Sequence, residues 1–256
     1  MHKIKVITIS LLIFALYSSF VVAPRPVKLK TIVLDAGHGG KDPGTKGKYS
    51  KEKDIALKVV KKIRYYFNKY KPNVKVILTR DKDVFVDLLK RGEIANKNKA
   101  DIFVSIHCNS NPNKTVKGTE TYAMGVDNRS KTKNIVELQE NSVILMEENF
   151  LQKYDGFDPR SEEAYIMFSL LQHAFLKESL KLAAEIEAYM QSITKRHSRG
   201  VKQAAFVVLW KTSMPSVLSE IGFLSNPEEE KYLRSEVGQN QIAKAVYKGI
   251  ISYSTQ

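Results

Sequence analysis

Residues 31–44 of the 256-residue chain have the sequence TIVLDAGHGGKDPG. The run Thr31–Asp35 is short, apolar and rich in β-branched residues, and it stops at a glycine-rich loop, so it predicts a buried strand. An amphipathic helix is predicted after the loop, with Ser50 placed to cap it. Its apolar positions recur every four residues, at Ile55, Val59, Ile63 and Phe67.

The same alternation of strand and helix continues along the chain. Further strands are predicted at Val74–Leu78, Ile102–Ile106, Thr119–Met124, Phe206–Leu209 and Val217–Ser219, and further helices at Leu88–Lys99, Ile166–Met190 and Ile242–Ile250. Alternating strands and helices indicate an α/β fold, with a mostly parallel twisted sheet flanked by helices on both faces. Residues 31–254 are predicted to form this single domain. The charged segment 127–160 lacks strand alternation and is predicted to be an inserted helix followed by a loop.

The first 23 residues have the layout of a secretory signal peptide. Lys3 and Lys5 precede the apolar run Val6–Phe20, and small residues at Val21 and Ala23 suit a cleavage site. The apolar run is shorter than the roughly 20 residues of a membrane span, so no span is expected after cleavage, although an uncleaved anchor is the alternative. Residues 24–30 are predicted to be a linker. The sequence therefore predicts export to the periplasm or cell envelope, or to the outside of a cell with one membrane.

The composition narrows the classes of possible binding partner but does not identify one. Lys and Arg number 41 against 27 Asp and Glu, a formal charge of +14, which favours nucleic acid, a membrane surface or an acidic wall polymer. Solvated lysine faces explain the charge equally well. Residues 37–47 match neither nucleotide-binding glycine pattern, so a nucleotide loop is excluded. The single cysteine, Cys108, rules out an internal disulfide within the chain.

Four side chains with catalytic chemistry follow predicted element ends. His38, His107 and Glu220 come after strands, and Glu52 lies in the first turn of a helix. In open α/β sheets, ligands bind in the crevice outside the carboxyl ends of the strands, where these groups are expected to converge. Taken singly, each has a structural explanation: a hydrogen-bonded histidine, an acid favoured by the helix dipole, or a solvated loop acid.

If these four side chains lie close together, they would form a hydrolytic zinc site. Two imidazoles and a carboxylate, from His38, His107 and Glu52, form a three-ligand set suited to one Zn²⁺ with a fourth position for water. Glu220 then fits as a base that accepts the proton of that water and returns it to the departing amine.

Four motifs in one order carry a family resemblance. They are Leu34–Gly40 (LDAGHGG) with Asp42–Gly44, Glu52–Asp54 (EKD), Ser105–Asn109 (SIHCN) and Ser219–Asn226 (SEIGFLSN). Across roughly residues 31–252 the chain resembles the zinc-dependent type 3 family of bacterial N-acetylmuramoyl-L-alanine amidases. The resemblance implies cleavage of the amide bond between N-acetylmuramic acid and L-alanine in peptidoglycan, during cell separation or wall turnover. Peptidoglycan, and no nucleic acid, is then the expected partner.

The resemblance also assigns roles to residues. His38, Glu52 and His107 fall on the family's zinc ligands, with one Zn²⁺ per chain, and Glu220 falls on its catalytic glutamate. Asn109 and Arg199 are implied to bind substrate. Cys108 is assigned no catalytic role.

The segment 127–160 resembles the insertion of the family's cell-division members. There, a helix covers the active site and one of its glutamates occupies the open zinc position until a protein activator displaces it. Glu140 is the favoured residue for this contact, and Glu137, Glu147 and Glu148 are the alternatives. A solvent-exposed amphipathic helix is the competing interpretation.

Two rival functions remain open. Another zinc peptidase or deacetylase would use the same site on a different bond. A non-catalytic wall-binding or scaffold protein would keep the fold without turnover, and is disfavoured by the intact set of His38, Glu52, His107 and Glu220.

Overall fold

The computed structural model describes residues 27–125, 135–161, 163–165 and 174–255. Its six-stranded sheet has the order β2-β1-β3-β6-β4-β5, and only the pairing of β4 with β6 is antiparallel. The strands are β1 (Thr31–Ala36), β2 (Lys75–Leu78), β3 (Ile102–Asn109), β4 (Thr119–Met124), β5 (Ser198–Ala204) and β6 (Ser216–Phe223). This confirms the mostly parallel α/β fold. The predicted signal peptide and residues 24–26 of the linker lie outside the described residues.

Helices cover both faces of the sheet. They are α1 (Glu52–Tyr70), α2 (Leu88–Lys97), α3 (Ile135–Asn141), a 3-10 helix (Ser142–Met146), α4 (Phe150–Lys153), α5 (Leu176–Thr194), α6 (Val207–Trp210), α7 (Pro227–Arg234) and α8 (Glu236–Ser254). Helices α1, α5 and α8 form one core with the sheet, and α2, α6 and the 3-10 helix form a second core on the opposite face. Because both faces are covered, every side chain of β3 and β6 is buried. Within the described ranges, no helix is both long and apolar enough to cross a membrane.

One predicted strand is wrong. The run Phe206–Leu209 is not a strand, because Val207–Trp210 forms the single helical turn α6. The strand next to β4 is instead β5, Ser198–Ala204, which the sequence analysis did not predict. A short apolar run does not distinguish a buried strand from a buried helical turn. Most β5 side chains are partly exposed at the edge of the sheet, which leaves the strand without a strong apolar signal.

Several element ends also differ from the predictions. His107 and Glu220 lie inside β3 and β6 rather than after them, since the pairing of β3 with β6 continues past both residues to Asn109 and Phe223. The N-cap of α1 is Lys51, and Ser50 instead donates its hydroxyl to Glu230. The predicted helix Ile166–Met190 is seen from Leu176 to Thr194, and residues 166–173 lie outside the described ranges.

The inserted segment packs against the sheet rather than projecting into solvent. From residue 135 it contains α3, the 3-10 helix and α4, followed by turns. Val143, Ile144, Tyr154 and Phe157 are buried in the same core as α2 and α6. The segment therefore covers one face of the sheet, the face that carries the candidate site.

Candidate active site

A line of polar side chains crosses the face of the sheet under the inserted segment. Strand register pairs Asp35 with Ser105, His107 with Glu220, and Glu220 with Glu120. Residues paired across neighbouring strands project from the same face, so these groups form one stripe over β1, β3, β6 and β4. All five are buried. Buried polar groups are costly without partners, so the stripe marks a site with specific chemistry.

Four ligand-type side chains, one of them His107 of this stripe, gather at one place on this face. They come from the loop after β1 (His38), the start of α1 (Glu52), β3 (His107) and α3 (Glu140), and their ligand atoms all lie within 4.8 Å of one another. Glu52 Oε1 lies 3.1 Å from both His38 Nε2 and His107 Nδ1. The structure thus brings together the three residues that the sequence analysis predicted as metal ligands.

The geometry of this cluster fits a tetrahedral cation. Ligand atoms 2.0–2.1 Å from a tetrahedral zinc ion are separated by about 3.3 Å. The separations to the histidine nitrogens are 3.1 Å from Glu52, and 3.3 Å and 2.8 Å from Glu140. His38 Nε2 and His107 Nδ1 are buried without a hydrogen-bond partner among the described residues. Two buried imidazole nitrogens aimed at two carboxylates are the donor set that zinc prefers.

The ligands are oriented by neighbours outside the cluster. His38 Nδ1 lies 2.6 Å from Asp42 Oδ2, a contact that leaves Nε2 facing the cluster. Glu52 accepts backbone N–H groups from Thr45 and Cys108, each at 2.8 Å. Asp42 is a positioning residue that the sequence analysis missed, although an acid four residues after a ligand histidine in the same loop was a usable signal. The Cys108 side chain packs in the core, where burial raises the pKa of its thiol.

The glycine-rich loop approaches the ligands too closely to carry side chains at two positions. A Cβ on Gly37 would lie 2.5 Å from His107 Cε1. A Cβ on Gly44 would lie 2.5 Å from His38 Cδ2, and Gly44 also has a left-handed φ of +63°. Gly37 and Gly44 of this loop therefore leave space for the candidate metal ligands.

A buried arginine fixes the backbone that carries His38. Arg91 donates to the carbonyl oxygens of Ala36 at 2.7 Å and His38 at 2.9 Å, and pairs with Asp35 at 2.8 Å. Burial would raise the pKa of Asp35, but Arg91 and the hydroxyl groups of its neighbours hold that pKa below its usual value. His38 has a φ of +59°, an unfavourable conformation for a residue with a Cβ. The Arg91 network holds His38 in this conformation.

A second arginine ties the two ligand-bearing segments together. Arg80 donates to the carbonyl oxygen of Gly37 at 2.8 Å and to that of Lys53, also at 2.8 Å. Gly37 precedes His38 and Lys53 follows Glu52, so one guanidinium bridges the backbones of both ligands. Neither Arg80 nor Arg91 was assigned a role from the sequence.

Glu220 is fully buried beside the cluster. Its Cα pairs with that of His107, and both of its carboxylate oxygens lack a hydrogen-bond partner among the described residues. Burial raises the pKa of Glu220 well above its usual value, and the nearby Glu140 carboxylate raises it further. Enzymes raise carboxyl pKa values in this way to make general acids and bases. The two free oxygens leave Glu220 able to bind a water molecule or substrate.

Glu140 occupies the remaining corner of the cluster. Its Oε2 lies 2.8 Å from His107 Nδ1 and 3.3 Å from His38 Nε2. Of the four glutamates that the sequence analysis weighed, all of them described by the structure, Glu140 alone belongs to the cluster. The others lie elsewhere: Glu137 accepts from Ala205 N, Glu147 accepts from Tyr154, and Glu148 is exposed.

Hydrogen bonds on either side of Glu140 hold helix α3 in place. Asn141 donates to the carbonyl oxygen of Ala205 at 2.8 Å and accepts from Val207 N at 2.9 Å. Glu137 accepts from Ala205 N at 2.7 Å. The backbone at residues 205–207 therefore holds both sides of Glu140 in sequence, and this fixes its position over the histidines.

Asn109 and Arg199, the predicted substrate-binding residues, both contact Glu120. Asn109 Nδ2 lies 2.7 Å from Glu120 Oε1, and Arg199 Nε lies 2.9 Å from Glu120 Oε2. Neither belongs to the metal cluster, but Glu120 neighbours Glu220 across β4 and β6. His197 is exposed, and His173 lies outside the described residues.

The comparisons with known proteins agree on one family. The family profile described as N-acetylmuramoyl-L-alanine amidase matches residues 32–252. The amidase AmiA of Escherichia coli K12 is 36% identical over 225 residues, which cover 88% of this chain and 76% of AmiA. AmiC of Escherichia coli O6:H1 is 33% identical over 235 residues, covering 90% of this chain. The chain spans about half the length of AmiC, since the match covers 53% of it.

A solved structure supports the same fold. The CwlD amidase of Clostridioides difficile, in complex with the GerS lipoprotein, matches with a TM-score of 0.64 and 29% identity. The match covers 88% of this chain and 98% of CwlD. The sheet and helices described above are therefore those of an amidase catalytic domain.

Proposed function

The chain belongs to the N-acetylmuramoyl-L-alanine amidase family, and from this membership we propose that it is a zinc hydrolase of peptidoglycan. Its proposed reaction cleaves the amide bond between N-acetylmuramic acid and the L-alanine of the stem peptide. The observation that carries the proposal is the cluster of His38, Glu52 and His107 with Glu220 directly beside it.

The roles of the residues follow from their positions. His38, Glu52 and His107 would hold the zinc ion, with Asp42 orienting His38. Zinc, when bound, polarises the scissile carbonyl and lowers the pKa of the attacking water. Glu220 accepts the proton of that water and then donates it to the nitrogen of the departing L-alanine. The burial of Glu220 suits this exchange, since it raises the pKa of the carboxyl.

We infer that Glu140 is an autoinhibitory ligand. Its carboxylate occupies the corner of the cluster that an attacking water and the substrate would need. A carboxylate there would exclude water from the fourth position and stop hydrolysis. The competing interpretation, a solvent-exposed amphipathic helix, is disfavoured because Glu140 and Asn141 of α3 are buried.

Replacing Glu140 tests the inhibitory role. Glu140→Ala is expected to raise the basal rate of hydrolysis at least about tenfold, because removal of a charge-assisted contact is worth roughly 1.5–3 kcal/mol. Initial rates on purified sacculi in excess zinc provide the measurement. Glu148→Ala, a change of an exposed acid in the same segment, serves as the matched control. An unchanged or lower rate for Glu140→Ala contradicts autoinhibition.

We infer further that a protein activator releases the inserted segment. From residue 135 onward, the described part of the segment exposes the large apolar side chains Ile135, Leu145, Met146 and Leu151. Exposed apolar groups concentrated on one segment suit a protein contact. The relative CwlD, whose solved structure is a complex with a lipoprotein, supports a protein partner in this family.

The proposed location is the cell envelope. Residues 1–23 have the layout of a secretory signal, which supports export to the periplasm or to the outside of a cell with one membrane. The formal charge of +14 suits the acidic polymers of the wall. Daughter-cell separation or wall turnover is the proposed cellular role, and residues 31–254 the proposed catalytic domain.

Digestion of purified sacculi by the Glu140→Ala protein, with and without a chelator, tests the reaction. The expected products are muramic acid with a free lactyl carboxyl and peptides with a new N-terminal L-alanine, identified by mass analysis. Chelation is expected to stop their release, and added zinc to restore it. Cleavage of another bond would indicate the rival peptidase or deacetylase, and binding without any product would indicate the scaffold protein.

A further inference from the structure

Two cations converge on one buried carboxylate next to the catalytic region. Glu120 is 2% exposed, and its Oε2 accepts from both Arg199 and Lys202. Its other oxygen accepts from the Asn109 amide and the Tyr122 hydroxyl, each at 2.7 Å. The carboxylate is therefore fully occupied by neutral and charged donors, and the group as a whole has an excess of one positive charge.

A β-bulge is what brings the two cations together. Thr119 pairs with Ser198 but Thr121 pairs with Val201, so β5 has one more residue than β4 at this point. Gly200, within the bulge, has a left-handed φ of +83°. In a regular strand, positions 199 and 202 would project from opposite faces, because side chains alternate. Here both side chains reach Glu120 on the face that carries the candidate site.

The cations are accessible and held in place. The side chains of Arg199 and Lys202 are 34% and 31% exposed, whereas the Glu120 side chain is 2% exposed. Arg199 stacks over Phe223 at 5.4 Å, and Lys202 lies 5.7 Å from the centre of the Tyr122 ring. Each cation is thus fixed by a carboxylate and a ring, while about a third of each side chain remains exposed to solvent.

The distance from Arg199 and Lys202 to Glu220 indicates which part of a bound substrate these cations can contact. Glu120 is paired with Glu220, and β5 is the next strand beyond β4. Neighbouring strands lie about 4.8 Å apart, so the cations lie roughly 5–10 Å from the catalytic carboxylate. An extended peptide advances about 3.4 Å per residue. A stem peptide bound with its first amide at Glu220 would therefore place its second or third residue beside the cations.

We propose that Arg199 and Lys202, positioned by Glu120, form a subsite for the free carboxylate of the acidic residue that follows L-alanine in the stem peptide. The proposal rests on the proposed amidase function. A guanidinium and an ammonium bind a carboxylate through charge-assisted hydrogen bonds, whereas the corresponding carboxamide has no charge to offer. The subsite makes the enzyme selective for stems in which this carboxyl group is not amidated.

The test compares two soluble muramyl peptides that differ only in whether the second residue has an α-carboxylate or an α-carboxamide. The zinc-loaded Glu140→Ala protein, taken as the parent, is expected to have the higher kcat/KM for the carboxylate form. Adding Lys202→Met is expected to lower kcat/KM for that form by about 10- to 100-fold, and to change the carboxamide form less than about threefold. Lys202→Arg, which keeps the charge, is expected to retain the preference.

The controls separate selectivity from damage. Lys244→Met changes an exposed lysine on α8 and is expected to leave both substrates unaffected. Zinc content and Tm are measured for every variant. Equal kcat/KM for both peptides in the parent, or equal losses in Lys202→Met, would overturn the subsite. Failure of the zinc-loaded parent to cleave either peptide would instead contradict the amidase function. In that case calorimetry decides the subsite: stronger binding of the carboxylate form supports it, and equal binding overturns it.

Discussion

Glu220→Gln is expected to lower kcat by about 100- to 10,000-fold while the protein retains its zinc. The substitution keeps the size of the side chain but removes its ability to accept a proton. Both carboxylate oxygens of Glu220 lack a hydrogen-bond partner among the described residues, and no other residue of β6 has a carboxylate that could replace it. Initial rates on sacculi or soluble muramyl peptides, measured in the Glu140→Ala background, provide the test.

The zinc content of the same variant decides between two roles for Glu220. If Glu220 is a base and not a zinc ligand, Glu220→Gln should keep full zinc occupancy with little turnover. If Glu220 is a ligand, the variant should lose the metal. Glu228→Gln, which changes an exposed acid at the start of α7, is the matched control. It is expected to keep both full zinc occupancy and full turnover. A loss of less than about tenfold in kcat would rule out Glu220 as the principal base.

His107→Ala is expected to weaken zinc binding by more than about 100-fold, and activity with it. Loss of an outer-sphere partner typically costs 10- to 100-fold in metal affinity, so loss of a direct ligand should cost more. Of the two histidine nitrogens in the cluster, His107 Nδ1 is the closer to Glu140, at 2.8 Å, and it lies 3.1 Å from Glu52. Removing the imidazole leaves His38 as the remaining nitrogen ligand beside two carboxylates.

Zinc titration and thermal unfolding test this change together. Zinc is expected to raise the Tm of the parent, because an ion that binds the folded state stabilises it, and to leave the Tm of His107→Ala nearly unchanged. The zinc-dependent rise in Tm of Asp42→Asn should lie between those of the parent and His107→Ala, since this substitution removes only the partner of His38. His197→Ala, at an exposed histidine, is the control. Undiminished zinc affinity in His107→Ala would contradict the proposed metal centre.

Much of the fold was predictable because its signals are local. Strand β4 was predicted with its observed bounds, and the apolar positions of α1 are buried as its four-residue period required. Strand β5 was missed because most of its side chains are partly exposed at the sheet edge. Helix α6 was taken for a strand because four apolar residues have no measurable period.

The candidate site was likewise predictable only in part. His38, Glu52, His107 and Glu220 stand out in the sequence because their residue types and order are specific. Their closeness was only an expectation until the strand register placed His107 beside Glu220. Asp42 went unassigned because an acid in a glycine-rich loop has many ordinary explanations.

The sequence by itself determined the α/β fold and singled out the four residues proposed as the metal and catalytic set, since both are recorded in local patterns and motifs. The sequence favoured Glu140 but left Glu137, Glu147 and Glu148 open. Only the tertiary structure decided which of these glutamates reaches the histidines, because the four differ in packing. Only the tertiary structure, likewise, showed Arg199 and Lys202 on one carboxylate. Their meeting depends on a bulge in β5 and on an antiparallel pairing of distant strands, and neither is encoded by residue spacing.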